Sequence, residues 1–171
     1  MDHALQFGLL PLVISSPNPK EVLRSYIGLY IKEEIMAEGL VRNIGNFSRF
    51  LETISFSHGC ILNVSNVARE SGVERKTVEG YLSVLEDLLL CFYLPIFSKK
   101  AKRNLIVHKN IYFFDTGVYA SLRPHGVLDF PEEMRGSLLE GLVAQILRAH
   151  LGYHNRDSVL FPRFLISLML D

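Results

Sequence analysis

The groups in this sequence best suited to binding a metal or moving a proton are its histidines: His3, His58, His108, His125, His150 and His154. Only His150 and His154 have the four-residue spacing that puts two ligands on one side of a helix, and Gly152 falls between them. No third ligand and no HExxH pattern accompanies them, so no metal site is expected. Cys60 and Cys91 belong to no CxxC or Cys/His pattern, which points to two buried thiols in a reduced, cytoplasmic protein. A GxSxG nucleophile elbow is missing, as is any GxxxxGK[ST] loop with its phosphate cradle and lysine. These residues define no catalytic centre and call for no cofactor.

Binding chemistry is easier to locate. The chain has eighteen basic and eighteen acidic residues, so no overall field draws it to nucleic acid and any such contact must be local. Positive charge gathers from Lys99 to Lys109, a window with five basic residues and no acid. A second, smaller group is Arg75, Lys76 and Thr77.

The elements around these groups resolve into a helix-turn-helix with a wing. Asn63, Ser65 and Asn66 can cap a first helix running to about Ser71, Gly72 supplies the turn, and Val73 returns to the core. A second helix opens at Glu74 to Thr77, with Val78, Tyr81, Leu82, Leu85, Leu88 and Leu89 along one apolar face. In such a pair the second helix offers its first turns to the major groove, which makes Arg75, Lys76 and Thr77 candidate readers of bases or phosphates. Phe92–Leu94 and Ile111–Asp115 read as strands on either side of a basic loop, so Lys99, Lys100, Lys102 and Arg103 are candidate backbone contacts. A winged helix also serves to dock protein domains, and the residues alone leave both uses open. Cys60-Ile61-Leu62 is a further short strand candidate.

Upstream, the turn cluster Ser15 to Pro19 starts an amphipathic helix that ends near Gly39, with Val22, Leu23, Tyr26, Ile27, Tyr30, Ile31 and Ile35 as its apolar residues. A second helix is expected from about Ile44 to Ser57, with Phe47, Phe50, Leu51 and Ile54 inward and Gly59 as its stop. The amino terminus does not read as a signal peptide, and the longest apolar runs, Leu88–Phe97 and Phe164–Leu170, fall well short of the roughly 20 residues that cross a bilayer. No membrane span is expected. The fold class is mainly α with a small β component.

Three long phrases, KEEIMAEGLVRNIGNFSRFLE from Lys32, NVSNVARESGVERKTVEGYLSVLEDLLL from Asn63 and IYFFDTGVYASLRP from Ile111, closely resemble a prokaryotic family of AAA-type ATPases. The likeness extends to about Tyr153. It implies a P-loop domain followed by a helical lid, a winged helix and a carboxy-terminal domain similar to the PD-(D/E)XK nuclease fold. This chain then corresponds to the middle: a lid-like segment over 1–58, the winged helix over 59–115, and a truncated start of the nuclease-like domain over 116–171. ATP and magnesium are implied only for a full-length member.

Two features match the start of that last domain: Asp115-Thr116-Gly117-Val118 after a strand, and a helix opening at Gly136 whose Glu140 falls at the family's first acidic position. Nuclease chemistry of this kind needs further carboxylates and a lysine to hold a metal and orient water. The family's EVD-type segment that supplies them does not follow here. The resulting expectation is a non-catalytic fragment that binds DNA or docks other domains, with an apolar tail beyond Asp157 prone to self-association. The alternative is a component of a metal-dependent nuclease, in which Glu140 joins carboxylates from elsewhere.

Overall fold

The computed structural model describes residues 2–37, 39, 41–95, 109–124, 126 and 131–153. Lys99, Lys100, Lys102 and Arg103, and the apolar tail after Asp157, lie outside the described residues.

Asn43 and Asn63 begin two helices in the same way. Each side-chain oxygen accepts from the N–H three residues on, at 2.9 Å from Asn46 and 3.1 Å from Asn66, filling donors that a helix start leaves unpaired. Behind Asn43 runs α5, Ile44–Ser55, whose Phe47, Phe50, Leu51 and Ile54 are all buried. Behind Asn63 runs α6, Val64–Ser71, closed by Gly72 at φ 65° and ψ 30°, where a side chain would be strained. Val73 then enters the core, and α7, Arg75–Asp87, buries Val78, Tyr81, Leu82 and Leu85. Tyr81 meets Phe47 edge-on at 5.1 Å and Phe50 at 5.3 Å, which binds α5 to α7.

The apolar face of α7 stops earlier than its leucines suggest. Leu88 and Leu89 are exposed, and Leu89 is left-handed at φ 57°. The N–H of Leu90 donates to the Leu85 carbonyl at 2.8 Å and that of Leu89 to Glu86 at 3.0 Å, the paired bonds of a Schellman ending. Leu90 is thereby turned into the core to lead into the sheet.

That sheet has two antiparallel strands, β1 (Cys91–Pro95) and β2 (Lys109–Phe113), in register from Cys91↔Phe113 to Pro95↔Lys109. The strand expected at Cys60-Ile61-Leu62 is reduced to isolated bridges: Ile61 pairs with Asn110 and His58 with Ile111. Cys91 is buried, but Cys60 is exposed on this edge, correcting the expectation of two buried thiols.

The helix expected from Pro19 to about Gly39 is continuous but not uniform. It comprises α3 (Pro19–Ser25), a π-helical stretch (Tyr26–Glu34) and α4 (Ile35–Ala37), with Leu23, Ile27 and Ile35 buried. Apolar residues three and four apart do not distinguish i→i+5 from i→i+4 winding, so the sequence shows the helix without showing its widening.

Two short helices, α1 (Asp2–Phe7) and α2 (Pro11–Ile14), precede it, and α8 (Thr116–Leu122) and α9 (Pro131–Tyr153) end the described chain. The nuclease-like helix expected to open at Gly136 therefore begins five residues earlier, with proline at its first position. Asp115, buried to 1% exposure, joins the two ends of the molecule. Its Oδ1 accepts from the N–H groups of Gly117 (2.9 Å) and Val118 (3.1 Å), capping α8, while Oδ2 accepts from Leu9 N–H at 2.7 Å. Thr116 Oγ1 adds a bond to the Ala4 carbonyl at 2.8 Å. A Cβ at Gly8 would strike the Asp115 carboxylate, and one at Gly117 would strike the Phe7 carbonyl.

The divisions expected after residues 58 and 115 are not breaks in packing. One apolar cluster runs from Val13 through Phe50, Leu85 and Ile111 to Leu122. Among the described residues no helix is long and apolar enough to cross a membrane.

Two stability changes follow. Asp115→Ala leaves two buried N–H donors and a third, part-buried one without their acceptor and should cost roughly 3 kcal/mol, read by urea denaturation. Leu89→Gly relieves a left-handed leucine of small packing value and should stabilise the fold by about 0.5–1 kcal/mol in the same experiment.

Candidate functional site

The helix pair presents one polar surface. Ser65, Asn66, Arg69 and Glu70 of α6 and Glu74, Arg75, Lys76 and Glu79 at the start of α7 are exposed, and Thr77 is half-buried. The structure thus brings Arg75, Lys76 and Thr77 together in one turn, with Arg75 and Lys76 on the outside and Thr77 half-buried. The Arg75 guanidinium is braced across both helices: Nε donates to Glu79 Oε1 at 2.9 Å and Nη1 to Ser65 Oγ at 3.2 Å. The Glu79 half of this brace is legible from four-residue spacing. The Ser65 half is not, because it depends on how α6 crosses α7. The exposed residues of the helix pair include three cations, Arg69, Arg75 and Lys76, and three acids, Glu70, Glu74 and Glu79, with Arg69 paired to Glu70 and Arg75 to Glu79.

Glu140 sits on the inner side of α9 rather than in an open acidic site. Its Oε1 accepts from the buried Tyr112 hydroxyl of β2 at 2.5 Å, and its carboxylate lies beside Gly59. Burial first, and then this bond to Glu140, raise the Tyr112 pKa above the ordinary phenol range. Among the described residues no group of three His, Cys, Asp or Glu side chains is placed to hold a metal. What Glu140 does here is tie α9 to the sheet.

The same junction contains a residue that sequence reasoning weighed only as a metal ligand. His58 is buried, stacked on Tyr119 with ring centroids 3.9 Å apart, and its Nδ1 accepts from the Phe113 N–H at 3.1 Å. The accepting role of Nδ1 assigns the ring proton to Nε2, which faces Gly141 of α9 so closely that a Cβ there would collide with it. Nε2 has no hydrogen-bond partner. Burial, then the positive charge of Arg123, lower the His58 pKa from 6.5 to about 4. A neutral imidazole wedged between β2, α8 and α9 is a structural element, and nothing in its local sequence, Ser57-His58-Gly59, marks it as one.

A family model, Domain of unknown function (DUF8612), matches residues 1–129 of the chain. The chain belongs to that family, and the matched region takes in the helix pair, the sheet and α8 but ends before α9. No curated protein matches the chain, and no solved structure does.

Because the folded His58 pKa is depressed, the folded state resists protonation that the unfolded chain accepts, so stability is fully present above pH 6.5 and is lost as pH falls toward about 4. Thermal melts across this window should show a falling Tm, and His58→Gln should flatten the fall. Equal slopes in both proteins would remove His58 as its source.

Proposed function

We propose that this chain is a non-catalytic binding module, corresponding to the middle of an AAA-type ATPase architecture, and that its helix-turn-helix and basic wing contact duplex DNA in the cytoplasm. The observation that carries this reading is the outward first turn of α7, where Arg75 is held by Glu79 and Ser65 and Lys76 stands exposed beside it. A braced guanidinium loses little side-chain freedom when it meets a phosphate or a guanine edge, and the unbraced lysine suits a point contact to phosphate. Lys99, Lys100, Lys102 and Arg103 would supply the remaining positive charge from the wing.

The balance of three cations and three acids on the helix pair favours a second reading, in which this surface docks another protein domain through paired charges. The nuclease alternative receives less support, since the Tyr112 bond gives Glu140 a structural task. In either binding reading ATP and magnesium would belong to a full-length protein.

Titration of labelled duplex against the purified chain at two salt concentrations tests the DNA reading. Binding should weaken with salt, and Lys76→Ala should weaken it for all sequences while reducing the salt slope by about one. Joint Ala substitution of Lys99, Lys100, Lys102 and Arg103 should reduce the slope further. Absence of duplex binding at low salt, or binding indifferent to both sets of substitutions, would reject this reading in favour of docking.

A further inference from the structure

Among the described residues of the helix pair, Arg75 is the cation held from two sides. Nε donates to Glu79 Oε1 at 2.9 Å, one turn along α7, and Nη1 donates to Ser65 Oγ at 3.2 Å, across the crossing with α6. Arg69 meets its neighbour Glu70 at 3.9 Å, and Lys76 enters no ion pair among the described residues. For all its bracing, the Arg75 side chain remains 65% exposed. A long side chain that is fixed and still open meets a ligand without first losing its rotamers.

The brace takes the Nε–H and one N–H of Nη1, so both terminal nitrogens keep an N–H to give. Donors paired on a plane match acceptors set side by side, as on a carboxylate, a phosphate or the O6/N7 edge of guanine. Charge separates these three. The Glu79 carboxylate in contact with the guanidinium already offsets its charge, and Glu74, next to it in the chain, is exposed as well. A further anion gains little from a cation already paired and is repelled by the acids beside it. Guanine O6 and N7 are neutral acceptors and meet no such repulsion.

We propose that Arg75 makes DNA binding by this chain sequence-specific, its terminal nitrogens donating to O6 and N7 of one guanine in the major groove while Glu79 and Ser65 position it. This assignment rests on the duplex-DNA reading and adds a base to it. Arg75 is the first residue of α7, and the opening residues of the second helix in a helix-turn-helix are those that reach base edges. Lys76, exposed and without an acid of its own, takes the phosphate contact, which carries no sequence information. The paired charge thus reads a neutral edge and the unpaired charge neutralises the backbone.

Selection by the full chain from a duplex pool with randomised central base pairs tests the assignment. The recovered duplexes should share one G·C pair, and replacing its guanine by 7-deazaguanine, which pairs normally but lacks N7, should weaken binding about tenfold. Arg75→Lys keeps the charge without the fork, so it should recover no preferred guanine while the salt dependence of binding stays the same. Glu79→Ala removes both the brace and the acid, and should raise affinity for every duplex while shrinking the effect of 7-deazaguanine. Both positions are exposed, so helical circular dichroism should not change.

No binding to any duplex at low salt would overturn the DNA reading and this assignment together. Salt-dependent binding without a preferred guanine, indifference to 7-deazaguanine, or a preference left undiminished by Arg75→Lys or by Glu79→Ala would overturn the assignment alone.

Discussion

The carboxylate of Asp115 holds together parts of the chain 106 residues apart, and much of the architecture depends on it. Burying an ionised carboxylate is costly unless its lone pairs are filled, and three backbone N–H groups fill them here. Two of those donors start α8 and the third belongs to the segment between α1 and α2. One side chain therefore caps a helix and fastens the amino terminus to it. Gly8 and Gly117 permit the approach, since a side chain at either would meet the carboxylate or the Phe7 carbonyl. With the ends fastened, the helices α2, α3 and α5, the helix pair α6–α7 and the sheet share one apolar cluster rather than forming separate cores.

Local features of this fold were legible in the sequence for local reasons. Asn43 and Asn63 cap the helices they precede, Gly72 makes the turn, and the stripe of Phe47, Phe50, Leu51 and Ile54 is buried as a 3.6-residue period requires. Such signals act within a few residues and need no knowledge of the rest of the chain. Where the sequence misled, a neighbour in space had the deciding vote. Leu88 and Leu89 extend the apolar period of α7, but Leu90 must enter the sheet, and the turn that takes it there exposes both. Cys60-Ile61-Leu62 has the composition of a strand but runs beside β2 only far enough for isolated bridges.

The candidate site divides in the same way. Arg75, Lys76 and Thr77 could be placed from the helix start that precedes them; Arg75 and Lys76 are exposed and Thr77 is half-buried. Glu140 could be numbered but not interpreted. Its partner Tyr112 lies 28 residues away on β2, and no spacing rule connects a strand tyrosine to a helix acid across that distance. His58 was hidden for a related reason. Its packing against Tyr119, Phe113 and Gly141 exists only once β2, α8 and α9 have met.

These contacts also explain how α9 keeps its place against the sheet. Tyr112 to Glu140, His58 against Gly141, Ala144 in the sheet cluster and Arg148 over Phe92 fix one side of the helix at successive turns. That side of the helix is held by hydrogen bonding, close backbone approach and aromatic packing together, so no single one of them carries its placement. The buried histidine contributes through its neutrality: a charged imidazole would have to be accommodated in the junction between β2, α8 and α9, where Nε2 has no acceptor.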